Sequence, residues 1–123
     1  MGRKKILIVD DSSTVILVEK MILSNGPYDV VSARDGQEGL EKAQAERPDL
    51  ILMDVVMPRM DGFEACRRLR DADATRGIPV IMVSTRGELK SVESGYESGC
   101  NDYVTKPING LELLTKVRSC LGQ

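Results

Sequence analysis

The sequence predicts an α/β fold in which helices cover a parallel β-sheet. Short apolar runs alternate with longer amphipathic segments along all 123 residues, a pattern typical of strand–helix units joined by right-handed crossovers. Residues 6–9 and 50–53 are continuously apolar, as strands buried on both faces are. The length and the hydrophobic fraction of 41% fit one compact domain, so residues 1–123 are expected to form a single unit.

Five short apolar runs are the predicted strands. In chain order they cover residues 5–9, 28–33, 50–53, 79–83 and 102–105. Helical segments fill the gaps between these runs, which indicates strands that lie parallel in one sheet.

Helix starts are marked by residues whose side chains can accept a hydrogen bond from an early helical amide. Ser12 or Ser13 can cap the first helix in this way. Four further residues precede a glutamate by three positions, which resembles a capping box. These residues are Asp35, Asp61, Thr85 and Asn109.

The spacing of apolar residues predicts which face of the first helix is buried. Val15, Val18 and Ile22 form the expected core stripe. At about 100° per residue, Ile16 and Leu17 then point away from the core on opposite flanks. We expect these two side chains to form an exposed docking patch beside the strand ends.

The fourth helix, expected over residues 88–98, contains two serines and a glycine at interior positions. These residues are poor helix formers, so the segment is a candidate for an element with two conformations. Leu89 and Val92 are expected to pack into the core, and Tyr96 can belong to an output surface.

Composition excludes several classes of protein. The formal net charge of −2 argues against nucleic-acid binding driven by bulk positive charge, and no apolar stretch approaches the ~20 residues that span a membrane. The chain has no histidine, which excludes Ser/His/Asp and Cys/His catalysis. Cys66, Cys100 and Cys120 are widely separated and lack metal-finger spacing, which favours a reducing, cytoplasmic location.

Polar side chains follow four of the five predicted strands. Asp10 and Asp11 come after the first strand, Asp54 after the third, Ser84 after the fourth and Lys106 after the fifth. The carboxyl ends of parallel strands share one edge of a sheet, and ligands bind there. The sequence therefore predicts that these five side chains form one site.

Clustered carboxylates at this edge would repel one another and require a cation. Oxygen ligands without histidine or cysteine select a hard ion, and Mg²⁺ is the expected one because it is held by one or two carboxylates together with phosphate oxygens. Lys106 adds a fixed positive charge for a further anion. Such an arrangement suits phosphoryl transfer, in which positioning and charge neutralisation dominate.

Four motifs closely resemble those of bacterial two-component response-regulator receiver domains, the CheY-like family. They are VDDS at 9–12, DVVMPRMDG at 54–62, VS at 83–84 and YVTKP at 103–107, and they occur in the family's order across nearly the whole chain. The resemblance implies a flavodoxin-like (βα)5 fold, a doubly wound parallel sheet with strand order 2-1-3-4-5.

The same resemblance implies a role for each site residue. Asp54 would be the phosphoacceptor, and it would bind Mg²⁺ together with Asp11 and the backbone carbonyl of Val56. Asp10 would act through a metal-bound water. Lys106 would contact the phosphoryl oxygens, and its peptide bond to the following proline is expected to be cis.

A switch and a set of partners also follow from the resemblance. The Ser84 hydroxyl would turn toward the phosphoryl group, and Tyr103 would then move from an exposed to a buried position. The phosphodonor would be a sensor histidine kinase or a histidine phosphotransfer protein, and the output a downstream protein. No direct contact with nucleic acid or membrane is expected, and the chain would catalyse only its own phosphorylation and dephosphorylation.

Three other functions fit part of the sequence. A Mg²⁺-dependent phosphatase with Asp54 as nucleophile explains the carboxylates and Lys106, but the sequence offers no second acid–base group. A pseudo-receiver that acts without phosphorylation conflicts with the intact acidic set. A flavin-binding domain of the same fold needs a phosphate-binding loop, whereas the first loop here is acidic and would repel phosphate.

Overall fold

The computed structural model describes residues 2–123 and contains one parallel sheet with helices on both faces. The strands are β1 (Lys4–Val9), β2 (Tyr28–Ala33), β3 (Leu50–Asp54), β4 (Val80–Ser84) and β5 (Asp102–Thr105). The helices are α1 (Ser13–Leu23), α2 (Gly36–Glu46), α3 (Gly62–Asp71), α4 (Leu89–Ser98) and α5 (Gly110–Cys120). The strand order is β2-β1-β3-β4-β5, so the predicted flavodoxin-like topology is confirmed.

Two apolar layers fill the space between the sheet and its helices. Alternate residues of the central strands supply both layers, because successive side chains of a strand point to opposite faces. On one face they pack against α2, α3 and α4, and on the other against α1 and α5. Cys66 lies in the first layer, and Cys120 packs against the second. Within residues 2–123, no helix is long and apolar enough to span a membrane.

The predicted helix caps are confirmed for α1, α2, α3 and α5. The side chains of Ser12, Asp35, Asp61 and Asn109 each accept a hydrogen bond from a backbone amide three residues ahead. The prediction for Thr85 is wrong, because α4 begins only after Glu88. The Arg86 amide donates instead to the Ser84 hydroxyl at 3.0 Å, which keeps the chain in a loop for the next residues.

The predicted core stripe of α1 is wrong by one residue position. The helix buries Ile16, Glu19 and Leu23, whereas Val18 is 41% exposed and Leu17 is 57% exposed. The spacing of apolar residues predicted the wrong face because the middle residue of the buried face is a glutamate. Ile16 is therefore a core residue and does not belong to an exposed patch.

The buried face of α4 also differs from the prediction. Leu89, at the first helical position, is 74% exposed, while Ser91, Gly95 and Ser98 are buried. Val92 packs against the core as expected. Small side chains on the inner face let α4 lie close to the sheet, where a bulkier aliphatic stripe would hold it away.

Candidate functional site

The carboxyl edge of the sheet brings the predicted site residues together. Asp54 is the last residue of β3 and Ser84 is the last residue of β4. Asp10 directly follows β1, and Lys106 directly follows β5. Because β1 and β4 both pair with β3, these side chains surround the carboxylate of Asp54.

Lys106 joins the two buried carboxylates. Its ammonium nitrogen Nζ lies 3.1 Å from Oδ2 of Asp10 and 3.3 Å from Oδ1 of Asp54. The other oxygen of Asp10 accepts a hydrogen bond from the Ser12 amide at 2.9 Å, which orients its carboxylate. A fixed cation therefore lies against the carboxylate that was predicted to react.

Three carboxylates form a cluster with the geometry of a metal site. One oxygen from each of Asp10, Asp11 and Asp54 can be chosen so that all three lie within 4.8 Å of one another. Asp10 and Asp54 are buried, whereas Asp11 is exposed, so the cluster opens to solvent on one side. A hard divalent cation such as Mg²⁺ fits an all-oxygen set that one lysine does not neutralise.

The electrostatics of the cluster are visible in two perturbed acid–base groups. Burial and, next in size, the charge of Asp10 raise the pKa of Asp54 to about 6, while Lys106 partly opposes the shift. Burial lowers the pKa of Lys106, but attraction to Asp54 and Asp10 outweighs that effect and leaves the pKa raised. Lys106 thus stays charged, and a cation near Asp54 would favour its ionised form.

Both predicted switch residues form hydrogen bonds with the backbone of Arg86, in the loop after β4. Ser84 is fully buried, and its hydroxyl oxygen accepts a hydrogen bond from the Arg86 amide. Tyr103 is also buried, and its hydroxyl donates to the Arg86 carbonyl. Tyr103 therefore occupies the inward, buried position that the sequence analysis assigned to the switched state.

The inward position of Tyr103 depends on a close approach by α4. An added Cβ at Gly95 would lie 3.1 Å from Cδ2 of the Tyr103 ring. The ring therefore packs where a side chain at residue 95 would otherwise stand. This close approach explains why the inner face of α4 is built from small residues.

Two backbone features shape the loops around the site. Gly62, at the start of α3, donates its amide hydrogen to the Val55 carbonyl at 2.8 Å, and an added Cβ there would overlap the carbonyl oxygen of Asp54. The Lys106–Pro107 peptide bond is cis, as expected. Val56 is 50% exposed, and metal binding by its carbonyl stays a prediction.

The site also has a neighbour that the sequence analysis missed. Glu19 of α1 is 1% exposed and interacts electrostatically with Asp10, Lys106 and Asp54. A glutamate among apolar residues of a helix normally marks the solvent-facing side, so nothing in the sequence distinguished it from an exposed residue.

Comparison with known proteins agrees with the geometry. A sequence model of the response regulator receiver domain matches residues 6–118. The chain belongs to the response regulator receiver family. The alkaline phosphatase synthesis transcriptional regulatory protein PhoP of Bacillus subtilis is 39% identical over 118 residues, which are 96% of this chain and 48% of PhoP. The chain spans about half the length of PhoP and of several other curated relatives that it matches.

Solved receiver structures share the fold. Chemotaxis protein CheY4 of Vibrio cholerae is 33% identical, with a TM-score of 0.91 over 98% of this chain and 100% of CheY4. The receiver domain of sensor histidine kinase PA1611 from Pseudomonas aeruginosa is 30% identical, with a TM-score of 0.91 over 99% of this chain and 100% of that domain. In the PA1611 domain, a magnesium ion is coordinated in the active site cleft.

Proposed function

We propose that Asp54 accepts a phosphoryl group from a phosphohistidine of a partner protein in a Mg²⁺-dependent reaction. The partner would be a sensor histidine kinase or a histidine phosphotransfer protein. The observation that carries the proposal is the position of the Asp54 carboxylate, 3.3 Å from Lys106 and within 4.8 Å of Asp10 and Asp11 oxygens. The receiver family supplies the reaction type.

The chain's own residues position and neutralise the reacting groups. Asp11, Asp54 and the Val56 carbonyl would hold Mg²⁺ directly, with Asp10 acting through water, and the ion would offset charge on the phosphoryl oxygens. An ionised Asp54 oxygen attacks phosphorus, the phosphorus–nitrogen bond breaks, and the donor imidazole leaves with the bonding electrons. Lys106 then pairs with a phosphoryl oxygen that replaces one of its present carboxylate partners.

Phosphorylation would change the output surface through the link between Ser84 and Tyr103. A phosphoryl group on Asp54 adds acceptor oxygens next to the Ser84 hydroxyl. If that hydroxyl donates to the phosphoryl group, the Arg86 loop moves with it, and the bond from Tyr103 holds the ring inward. The face formed by α4, β5 and α5 would then bind a downstream protein.

An apolar depression of about 320 Å³ beside the site suits the phosphodonor. It is lined by Thr14, Val15, Val18, Lys106, Pro107 and Ile108. Lys106 belongs to both the depression and the phosphoacceptor site, so a protein bound here would place a histidine near Asp54. We assign the docking surface to this flank of α1 in place of the patch expected at Ile16 and Leu17, because Ile16 is buried and only Leu17 is exposed.

The remaining parts of the proposal concern the setting of the protein. Residues 1–123 would act as one receiver unit in the cytoplasm, where the three free cysteines would stay reduced. The chain would turn over only its own phosphoryl group and would not act on other phosphomonoesters as an enzyme does.

Labelling with a small phosphodonor tests the phosphoacceptor. With Mg²⁺ and acetyl phosphate, wild-type protein is expected to incorporate one acid-stable, base-labile phosphoryl group, and Asp54→Asn none, because the amide is not a nucleophile. Phosphate content by intact mass spectrometry is the measurement. Asp49→Asn, at a carboxylate on the opposite edge of the sheet, is the control and should label normally. Equal labelling of Asp54→Asn and wild type would refute the assignment, and no labelling of either would favour a pseudo-receiver.

A lysine at Val18 tests the docking surface. Val18→Lys is expected to slow phosphoryl transfer from a phosphorylated histidine domain roughly 10-fold or more, because a buried unpaired charge at an interface costs about 1.4 kcal/mol or more. Labelling by acetyl phosphate should not change. The matched control is Leu17→Lys, one residue away on the flank that faces Ser32 and Arg34. If Leu17→Lys slows the transfer and Val18→Lys does not, the donor docks on the other flank.

A further inference from the structure

Glu19 is the one residue of α1 with an ionisable side chain that faces the sheet. It is 1% exposed and lies between the buried Ile16 and Leu23 on the inner face of the helix. Among residues 2–123, no hydrogen-bond partner reaches its Oε2 atom, which is fully buried. A buried carboxyl oxygen without a hydrogen-bond partner is costly when the group is ionised, so this environment favours the protonated form of Glu19.

Glu19 interacts electrostatically with the phosphoacceptor site. The charged groups that face it from other elements are Asp10 after β1, Asp54 at the end of β3 and Lys106 after β5. On α1 itself, the neighbouring Lys20 points to solvent. No hydrogen bond joins Glu19 to any of the three site residues, and its oxygens lie outside the carboxylate cluster.

Burial and this charge distribution keep Glu19 protonated at neutral pH. Burial, the largest cause, together with repulsion from Asp10 and Asp54 raises the pKa of Glu19 to about 8, while the charge of Lys106 partly opposes this shift. Two of these causes are carboxylates that a metal ion would neutralise. The charge state of the site and the protonation of Glu19 must therefore influence each other.

We propose that Glu19 couples the phosphoacceptor site to proton binding in the interior, so that a divalent cation entering the cluster of Asp10, Asp11 and Asp54 causes Glu19 to release its proton to solvent. The inference rests on the metal site of the proposed function. The cation offsets the repulsion from Asp10 and Asp54, which stabilises the carboxylate form of Glu19. A phosphoryl group on Asp54 restores negative charge and favours uptake of the proton again.

Reciprocity gives this coupling a consequence for regulation. If metal binding promotes ionisation of Glu19, then ionisation of Glu19 must strengthen metal binding by the same factor. Raising the pH from 6.5 to 8.5 would tighten Mg²⁺ binding roughly 3- to 10-fold through this residue. The receiver would then load its metal more readily in an alkaline cell interior.

Calorimetry of Mg²⁺ binding measures the released proton directly. Titrations at pH 7.5 in two buffers with different ionisation enthalpies should show release of about half a proton per Mg²⁺ from the wild type. Glu19→Gln, which keeps the shape and removes the titrating proton, should bind Mg²⁺ and release almost none at this pH. Proton release below pH 6.5 should be alike in both proteins, because Asp54, with a pKa near 6, accounts for it.

The outcomes separate the inference from the proposed function. Equal proton release at pH 7.5 from both proteins would overturn the role of Glu19 and leave the metal site intact. Failure of the wild type to bind Mg²⁺ at any pH would instead overturn the metal site. If Glu19→Gln does not fold, the ¹³C shift of the Glu19 carboxyl in the wild type decides. Its titration midpoint should fall when Mg²⁺ is present, and an unchanged midpoint would refute the coupling.

Discussion

Replacement of Glu19 by leucine is expected to raise the free energy of unfolding by roughly 3–5 kcal/mol at pH 8.5. The carboxyl has a pKa of about 8 in the folded protein, against a reference value of 4.5. Below pH 4.5 it is protonated in both the folded and the unfolded state, and the burial of its charge costs nothing. Between pH 4.5 and 8 the unfolded state loses the proton first. Each pH unit therefore removes about 1.4 kcal/mol of stability from the wild type.

Urea unfolding at pH 5.0, 6.5 and 8.5 measures this effect. The gain from Glu19→Leu should be small at pH 5.0, should grow with pH, and should level off above pH 8. Asp54 contributes the same pH dependence to both proteins, so their difference isolates Glu19. Glu93→Leu, at an exposed position of α4, serves as the control and should change stability by less than about 0.5 kcal/mol at every pH. A gain that does not vary with pH would show that Glu19 is not a buried acid.

Addition of one methyl group at Gly62 is expected to cost roughly 2–4 kcal/mol of folding free energy. The Cβ of Gly62→Ala would overlap the Asp54 carbonyl oxygen and would lie 3.0 Å from the Val55 Cα. Both obstacles are backbone atoms, which cannot rotate away as a flexible side chain can. The end of β3 must therefore shift, and it carries the Asp54 carboxylate with it.

Two measurements on Gly62→Ala distinguish a loss of folding stability from a displacement of the phosphoacceptor. Urea unfolding should show the loss of stability, and acetyl phosphate labelling of the protein that remains folded should be at least 10-fold slower, because small displacements of a reacting group have large effects on rate. Gly77→Ala is the matched control, since no atom lies within 4 Å of its added Cβ. It should unfold and label as the wild type does. Equal behaviour of the two alanine variants would contradict the predicted overlap.

Most of the fold could be read from the sequence because its strands carry an unambiguous signal. All five predicted strands agree with the structure to within one residue. Runs such as residues 50–53 are short and have no polar face, which is typical of strands in a sheet covered on both sides. The polar residues that end these strands were grouped correctly for the same reason, since parallel strands all point their carboxyl ends to one edge.

The helix faces were less predictable, because burial in a helix depends on what packs against it. In α1, the pattern assigned Val18 to the core and treated Glu19 as a surface residue, whereas the sheet contacts the face that contains Glu19. In α4, Leu89 looked like a core residue, but the inner face is made of serine and glycine because Tyr103 occupies the space beside Gly95. Both errors come from tertiary packing that overrides local hydrophobicity.

Arg86 gives the loop after β4 a property that its side chain does not carry. Its amide donates to Ser84 and its carbonyl accepts from Tyr103, so one residue's main chain joins both hydroxyls. Movement of the Ser84 hydroxyl is therefore coupled to movement of the Tyr103 hydroxyl through the backbone of Arg86. Because the joint is made of peptide atoms, mutation of the Arg86 side chain can remodel the surrounding surface while the linkage is inherited unchanged. Selection can therefore change the contacts that the Arg86 side chain makes with a partner protein without changing the backbone hydrogen bonds that link this loop to Ser84 and Tyr103.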